Sequence, residues 1–523
     1  MIKFEFHRAY IVWIVGLLLF ILLFPLINQV KFMQNDDWVH YKTVGNFLNH
    51  NFKLAPMIGS TFFTQGFLGL IFAKICGFAN LPFLTLIISI GNFVVFTIIF
   101  QNQFKISAFT SILLGLLLFL NPLHFYSSIG FMTENFVLFF LLVGIYFTNE
   151  FFHTERKLPF VLSNLFFILG FFTKQYLIVA FISIVIVLLI RKLHKYLFIE
   201  ILITFILILY YYFLFPRTDI IENQSIQLLN LLNLGKLYPL TFVSFIYFSG
   251  VLLPLLYLYI LNGLRGLSYF KIVLCLFCAV CITFVSKNLF LSTDYYFKDF
   301  PYIGNTFDRK GFFPGDLDGN KYSWRGIFDV MRVWDLLSLF GFSAFAILAF
   351  SKFKLRLIEN INFISVFFVL YLGLFLVSWN TYDRYFLPLI LTGILILSKN
   401  INFKKFKFTN IGLAVFLLFL GFIDFQFSKD YVGWQSYVWN KSIEISRNEN
   451  VPKDKISASR AWNKYHNVSS DYLYKFSFDS PDLISSQNQL VNLENYSNDF
   501  NGSLYINPNI YLYSIAIYFK KVF

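Results

Sequence analysis

The most unusual stretch of this sequence is the polar segment Gln34–Tyr41, which follows the first long apolar run. It carries two adjacent carboxylates, Asp36 and Asp37, and a histidine, His40. A carboxylate near lipid loses solvation free energy unless water, a cation or a substrate compensates for it. An ionised carboxylate in such a position can accept a proton from a hydroxyl group, as a general base does. We therefore interpret one of the two carboxylates, Asp36 or Asp37, as a candidate catalytic base.

Other polar residues that could do chemistry also stand at the ends of apolar runs. They are His124 and Glu134 around the loop 121–135, Lys174 in the turn Lys174-Gln175-Tyr176, and Tyr382, Asp383 and Arg384 within Trp379–Tyr385. An arginine fork and a lysine ammonium both suit phosphate oxygens. If these segments reach one side of a membrane, acids and cations meet in a single site.

Composition sets the class of protein. The 523 residues are 58% hydrophobic and only 13% charged, whereas a soluble domain carries about 25% charged residues. The apolar runs are long and do not alternate, which favours spanning helices over barrel strands. The net charge of +14 is dispersed in short basic clusters between apolar runs, which is the positive-inside pattern and not a nucleic-acid site. We expect Cys76, Cys275, Cys278 and Cys281 to be buried helix residues rather than metal ligands.

Basic clusters also predict the topology. Lys3 and Arg8 place the N-terminus in the cytoplasm and the Asp36 loop outside. The first apolar run lacks a small-residue cleavage site, so it is predicted to remain as a span. The segment Thr61–Cys76 has about sixteen residues, fewer than the roughly twenty that a span needs. We expect it to lie half-inserted at the outer surface, because the basic residues of Arg156-Lys157 and Arg191–Lys195 then fall inside.

The predicted architecture is an all-α polytopic membrane protein of about thirteen spanning helices. The predicted spans are Tyr10–Ile27, Leu81–Gln101, Ser107–Leu120, Asn135–Asn149, Phe160–Thr173, Tyr176–Ile190, Leu197–Phe215, Pro239–Leu261, Ile272–Leu291, Trp334–Phe350, Ile361–Val377, Tyr385–Leu397 and Phe408–Phe425. The odd number places the C-terminus outside. We expect a multi-pass protein of the plasma (inner) membrane.

Two domains are predicted. Residues 1–425 form the transmembrane catalytic domain, with outer loops at 28–80, 121–135, 216–238, 292–333 and 378–384. Residues 426–523 are richer in Ser, Asn, Asp, Lys and Tyr and are interpreted as a small extracytoplasmic α/β appendage. An amphipathic helix is expected around Trp434–Arg447 and a strand near Ile510–Phe519.

The order of these features resembles a known superfamily. An apolar span, an Asp-Asp loop, a short interfacial helix, an Asn-Pro loop ending in an acid, a Thr-Lys-Gln turn and a late Asp-Arg-Tyr-x-x-Pro follow one another in Met1–Phe425. This order is similar to the GT-C membrane glycosyltransferases, especially bacterial relatives of protein O-mannosyltransferases and of the lipid A aminoarabinose transferase. The resemblance implies transfer of a sugar from a polyprenyl-phosphate or pyrophosphate carrier to the hydroxyl of an envelope glycan, lipid or protein.

The resemblance also implies roles for individual residues. Asp36 matches the first-loop acid, Glu134 stands at the second acidic position, and Gln65 lies where relatives contact substrate. Lys174 and Arg384 are the candidate donor-phosphate ligands; His40, Tyr382, Asp383, Glu134 and Gln65 are candidates for contacting the acceptor or supporting the site. No nucleotide cofactor and no nucleic-acid partner are expected. A divalent metal stays open, with Asp36, Asp37 and His40 as its only candidate ligands.

A structural role is also open to each of these residues. Asp36 or Asp37 could cap a helix beginning near Trp38, Arg384 could pair with Asp383, and Lys174 could anchor the chain at the interface. The acidic and basic residues of the loop 292–333, namely Asp294, Asp308, Arg309, Asp316, Asp318 and Arg325, could contact the acceptor or be merely solvated. At the level of function, an O-antigen-type polymerase should concentrate Arg in its large outer loop. A transporter or flippase should place charges near the middle of the bilayer.

Overall fold

The computed structural model describes residues 6–216, 248–260, 306–308, 311–317, 362–378, 382–403, 409–470, 472–477 and 489–492, besides a few isolated positions between 277 and 344. These residues are mostly helical. Several predicted features lie outside them: the spans Ile272–Leu291 and Trp334–Phe350, nearly all of the loops 216–238 and 292–333, and the strand near Ile510–Phe519. The expectation of buried cysteines is wrong for Cys76 and Cys281, which are exposed. A thiol is apolar, so a lipid-facing surface accommodates it as a core does.

The helices of the described residues are α1 (Phe6–Asn28), α2 (Asp37–Leu48), α3 (Phe63–Cys76), α4 (Leu81–Ile98), α5 (Ala108–Phe119), α6 (Pro122–Ser127), α7 (Glu134–Thr154), α8 (Lys157–Phe171), α9 (Ile178–Ile190), α10 (His194–Leu209), α11 (Phe248–Ile260), α12 (Phe363–Val377), α13 (Leu387–Asn400), α14 (Thr409–Asn448) and α15 (Arg460–His466). The strands are β1 (Phe307–Asp308), β2 (Gly311–Phe312), β3 (Ile456–Ser457), β4 (Tyr474–Ser477) and β5 (Gln489–Asn492). β1 and β2 pair antiparallel, and β3, β4 and β5 form a parallel sheet in that order.

Five helical segments in the described part of the chain are long and apolar enough to cross a membrane: Tyr10–Asn28, Phe78–Gln103, Glu134–Thr154, His194–Leu214 and Asn410–Asn448. Six further apolar helices are shorter, at 10–17 residues. At a rise of about 1.5 Å per residue, such helices measure roughly 15–25 Å, less than the roughly 30 Å hydrocarbon layer. The protein therefore has the character of a helical membrane protein, while the predicted number of thirteen spans remains a prediction.

Side-chain contacts fix the directions of the first helices. Asn92 of α4 donates to Asn135 O of α7 at 3.0 Å, and Gln103 donates to Tyr146 O at 2.8 Å, so these two segments run parallel. The ring of Phe24 near the end of α1 lies 5.0 Å from that of Phe83 near the start of α4. The end of α1 and the starts of α4 and α7 therefore meet at one end of the bundle, which we call the site end.

The helix α3 begins and finishes at the site end. Its preceding residue, Phe62, donates its backbone N–H to Thr173 O at 3.1 Å, in the turn between α8 and α9. Only four residues separate the end of α3 at Cys76 from the start of α4 at Leu81, which lies at the site end. A helix that enters and leaves at the same end does not run through the bundle. The predicted half-inserted position of Thr61–Cys76 agrees with this course.

The region after residue 408 differs from the prediction. The expected span Phe408–Phe425 and the expected helix Trp434–Arg447 are parts of α14, a single helix of 40 residues. Its length of about 60 Å is twice the hydrocarbon thickness. The helix continues through the composition shift at residue 426. Beyond that shift, Tyr431 and Trp434 are fully buried, so their packing stabilises this part of the helix. The predicted boundary between residues 425 and 426 therefore falls inside a continuous element.

Candidate functional site

A cavity opens at the site end and encloses about 780 Å³ of empty space, counting the part open to solvent. Its walls are Asp36, Trp38, Val39, His40, Met57, Gly59, Ser60, Met132, Thr133, Glu134, Lys174, Tyr382, Arg384, Tyr385, Arg460 and Lys464. Six of the residues singled out from the sequence are thus brought together, namely Asp36, His40, Glu134, Lys174, Tyr382 and Arg384. The other three, Asp37, Gln65 and Asp383, are not among the lining residues.

Asp36 and Arg384 form an ion pair in this cavity. Asp36 lies in the linker before α2, and Arg384 lies in the 3-10 turn Asp383–Phe386 that leads into α13. Arg384 Nη2 donates to Asp36 Oδ2 at 2.6 Å. Burial alone would raise the pKa of Asp36, but the charge of Arg384 and its hydrogen bond lower that pKa below the usual value. Asp36 is therefore ionised at neutral pH, and with 37% of its side chain exposed it remains accessible from the cavity.

Glu134 holds the two cations of the inner cavity wall. It is the first residue of α7, and its side chain is 3% exposed. Its Oε1 atom accepts a hydrogen bond from Lys174 Nζ at 3.0 Å and lies 3.1 Å from Arg384 Nε. Each buried charge needs an opposite partner, and one carboxylate here serves both cations. Glu134 therefore fixes the distance between the lysine and the arginine.

Aromatic rings support the same cations. Lys174 Nζ lies 4.3 Å from the centre of the Tyr385 ring, and Arg384 Cζ lies 4.6 Å from the centre of the Tyr382 ring. A cation over a ring face is stabilised by the ring quadrupole. Tyr382 thus supports the Arg384 side chain.

Arg384 retains a donor that its protein partners do not use. The side chain is 5% exposed, yet Nη1 forms no hydrogen bond with any described residue. Buried polar groups without a partner are rare in proteins because each costs desolvation free energy. Buried N–H donors beside a cavity are groups that an anionic ligand can satisfy.

Three of the predicted site residues instead hold the loop that precedes Glu134. Asp37 Oδ2 accepts a hydrogen bond from Phe131 N at 2.5 Å, while His40 Nδ1 and Gln65 Nε2 each lie 3.1 Å from Phe131 O. A carbonyl oxygen only accepts, so His40 carries a proton on Nδ1. Burial raises the pKa of Asp37. The geometry thus favours Asp36 over Asp37 as the group that meets a substrate.

The same loop requires a glycine. A Cβ atom at Gly130 would overlap the side chains of Gln34 and Asp37. Gln34 itself donates to Tyr126 O at 2.9 Å. The close packing of the loop against the start of α2 is possible because residue 130 has no side chain.

Asp383 holds a different loop. Its Oδ2 atom accepts hydrogen bonds from Thr306 N at 2.8 Å and Phe307 N at 3.2 Å, and its Oδ1 atom accepts one from Arg384 N at 2.9 Å. Burial raises the pKa of Asp383 to about 6. Asp383 therefore connects the start of β1 to the turn that contains Arg384. Within the described part of the chain, it forms no side-chain ion pair with Arg384.

The geometry also bears on helix capping, on a metal site and on His124. Asp36 stands at the N-cap position of α2, but its side chain makes no capping hydrogen bond.

Among the described residues no group of three or more His, Cys, Asp or Glu could hold a metal ion. His124 lies outside the cavity, with Nε2 3.3 Å from Asn92 Nδ2 and Nδ1 3.2 Å from Phe119 O.

Two cavity residues were not foreseen from the sequence. Arg460 and Lys464 belong to α15, beyond the predicted domain boundary, and both line the cavity. Their spacing of four residues places them on one helix face, so the sequence alone indicates a basic face here. Asp316 anchors this helix: its Oδ1 atom accepts from Arg460 N at 3.1 Å, and Gln435 donates to its Oδ2 atom. Burial raises the pKa of Asp316 to about 8.

Comparison with known proteins adds no relative. No family model matches the sequence, and no curated protein matches it.

Proposed function

We propose that the protein is a membrane glycosyltransferase that moves a sugar from a polyprenyl-phosphate-linked donor to an acceptor hydroxyl at the outer face of the membrane. The observation that carries the proposal is the ionised Asp36 in hydrogen-bond contact with Arg384, beside Lys174, in one cavity at the end of the helix bundle. A lipid-linked donor can reach such a cavity from the bilayer, while its acceptor enters from water.

The cations suit the leaving group. When the acceptor oxygen bonds to the anomeric carbon, the bond from that carbon to the phosphate oxygen breaks, and its electron pair stays on the phosphate. The growing negative charge is stabilised by fixed cations, which need no reorganisation during the reaction. Glu134 holds Lys174 and Arg384 in place, and the unpaired Nη1 donor of Arg384 can turn to a phosphate oxygen.

Asp36 suits the proton that the acceptor hydroxyl loses. The hydrogen bond to Arg384 uses Oδ2, and the residue remains 37% exposed, so the carboxylate can also accept from a hydroxyl group. The present ion pair makes Asp36 a weak base. A donor phosphate that takes hydrogen bonds from Arg384 weakens the pair and raises the pKa of Asp36. Base strength then increases when the substrate is bound.

A transporter function has one observation in its favour. Glu200 and Asp424 are fully buried within the helical segments His194–Leu214 and Asn410–Asn448, and buried carboxyls in spans are typical of transport pathways. Neither lines the described cavity, whereas the proposed transfer reaction uses residues that do.

The discriminating experiment is a comparison of cells with and without the gene. Surface glycans, lipids and glycoproteins are analysed by mass spectrometry, and solute uptake is measured in parallel. The proposal expects the loss of one defined sugar from one acceptor class with unchanged uptake. An unchanged glycan profile together with altered uptake would contradict the transferase and favour the transporter.

A further inference from the structure

The short helix α15 adds a second pair of cations to the cavity. Arg460 and Lys464 are exposed at its wall, and neither side chain forms an ion pair with a described residue. The inner pair, Lys174 and Arg384, is by contrast buried and bound to Glu134. The cavity thus has an inner cationic pair that is ion-paired with Glu134 and an outer cationic pair that has no ion-pair partner in the part of the chain that the structure describes.

The outer pair is held in place by a well-anchored helix. Ser459 caps α15 by accepting from Trp462 N, and it also accepts from Trp439 Nε1 of α14 at 3.0 Å. Trp462 donates its indole N–H to Ile456 O at 3.0 Å. On its other side α15 packs on α2, where Lys42 Nζ donates to Lys464 O at 3.3 Å. The two cations therefore project from a fixed backbone.

The outer pair lies close to the reacting region. The charge of Arg460 contributes to the lowered pKa of Asp36, after the larger effects of burial and Arg384. Asp36, Arg384, Arg460 and Lys464 all line the same cavity. A ligand that fills this cavity therefore meets both cationic pairs.

The charges of the cavity indicate how many anionic groups it takes. Four lysine and arginine residues and two carboxylates line it, so these side chains together carry a surplus of two positive charges. A sugar linked to a lipid through a single phosphate carries one negative charge on its phosphodiester. A sugar linked through a diphosphate carries one negative charge on each phosphate and thus matches the surplus. Charge complementarity therefore favours the diphosphate, because each phosphate can accept charge-assisted hydrogen bonds from one cationic pair.

We infer that the carrier is a polyprenyl diphosphate, with the sugar-linked phosphate on Lys174 and Arg384 and the lipid-linked phosphate on Arg460 and Lys464. This inference rests on the proposed function and names its donor class. Transfer then breaks the bond between the anomeric carbon and the phosphate oxygen, and the electron pair leaves on the diphosphate. The acceptor proton goes to Asp36.

Binding of two probes to the purified full-length protein tests the assignment. Methyl farnesyl phosphate and the corresponding methyl farnesyl diphosphate, diesters that carry one and two negative charges, are titrated by calorimetry into the wild type, an inner variant (Arg384→Gln), an outer variant (Arg460→Gln/Lys464→Gln) and Lys453→Gln. Lys453 is an exposed basic residue on the same segment that does not line the cavity, so it controls for general charge effects. Thermal unfolding of each variant confirms that it is folded.

We expect the wild type and Lys453→Gln to bind the diphosphate at least about tenfold more tightly than the monophosphate, as charge-assisted hydrogen bonds imply. The outer variant should lose this preference and keep its affinity for the monophosphate. An outer variant with an unaltered preference would overturn the inference alone, and an anionic acceptor would then be the ligand of α15. If the inner variant also binds both probes as the wild type does, the proposed function itself fails.

Discussion

The guanidinium of Arg384 donates a hydrogen bond of 2.6 Å to the carboxylate of Asp36, although 348 positions separate the two residues in the chain. Asp36 follows the first helix, and Arg384 precedes α13. Both residues line the cavity, and the contact keeps Asp36 ionised at neutral pH. It also makes Arg384 the residue through which a bound phosphate can change the basicity of Asp36.

The first prediction concerns Glu134. In Glu134→Gln the buried Lys174 and Arg384 lose their shared carboxylate, and we expect the free energy of unfolding to fall by about 3–5 kcal/mol. Thermal unfolding of the detergent-purified protein measures the loss. The double variant Glu134→Gln/Lys174→Met should recover part of it, because one uncompensated cation is removed. A single variant as stable as the wild type would contradict the assignment of Glu134 as the counter-charge.

The second prediction concerns the pH dependence of transfer. Because the pKa of Asp36 is lowered, kcat/KM of the wild type should stay level through the acidic range and decline only below about pH 4. In Arg384→Gln the effect of burial is opposed only by smaller effects such as the charge of Arg460, so the acidic limb should move to higher pH. A limb at the same pH in both proteins would exclude Asp36 as the titrating base.

The same pair predicts a pH-dependent stability. The folded state binds the Asp36 proton less tightly than the unfolded state, so the pair stabilises the fold at neutral pH. That contribution should be lost as the pH falls below about 4, the usual carboxyl pKa. Thermal unfolding between pH 3 and 7, compared between the wild type and Asp36→Asn, measures it. If Asp36→Asn keeps the full acid-induced loss, the contribution comes from other carboxyls.

The fourth prediction concerns the packing of the 128–133 loop. Gly130→Ala should lower stability and reduce transfer, because its Cβ would displace Gln34 or Asp37 and with them the position of Glu134. Core overpacking of this kind costs about 1–3 kcal/mol. Gly412→Ala in α14 is the matched control, since its Cβ meets open space and alanine favours the helix. Equal melting temperatures for the two variants would contradict the close approach at residue 130.

The sequence predicted the convergence of Asp36, Glu134, Lys174 and Arg384 because each stands where an apolar run begins or ends. Such positions in a helix bundle are limited to its two ends, so polar residues there can be grouped before their contacts are known. The short length of Thr61–Cys76 and the positions of the basic clusters also predicted a half-inserted segment, and the course of α3 agrees with this. The positions of polar residues along the chain therefore predicted four residues of the cavity. The number of spans stays a prediction, because parts of several predicted spans lie outside the described residues.

The sequence could not separate neighbouring residues with different roles. Asp36 and Asp37 are adjacent, yet one faces the cavity and the other binds Phe131 N, because successive residues at the start of a helix point in different directions. The spacing of Arg460 and Lys464 indicates a basic helix face, but the approach of that helix to the cavity could not be predicted. Its approach to α2 depends on the continuous, 40-residue course of α14, which the composition shift at residue 426 concealed.

The central claim is that Asp36 accepts the proton of an acceptor hydroxyl during sugar transfer. The most direct measurement is mass analysis of surface glycans and lipids in cells lacking the gene, complemented with wild type, Asp36→Asn or Asp36→Glu at matched membrane levels. Loss of a general base typically costs about 10²–10⁴-fold in rate. We predict that the wild type restores the missing sugar, that Asp36→Glu restores part of it and that Asp36→Asn restores none. Full restoration by Asp36→Asn would contradict the claim.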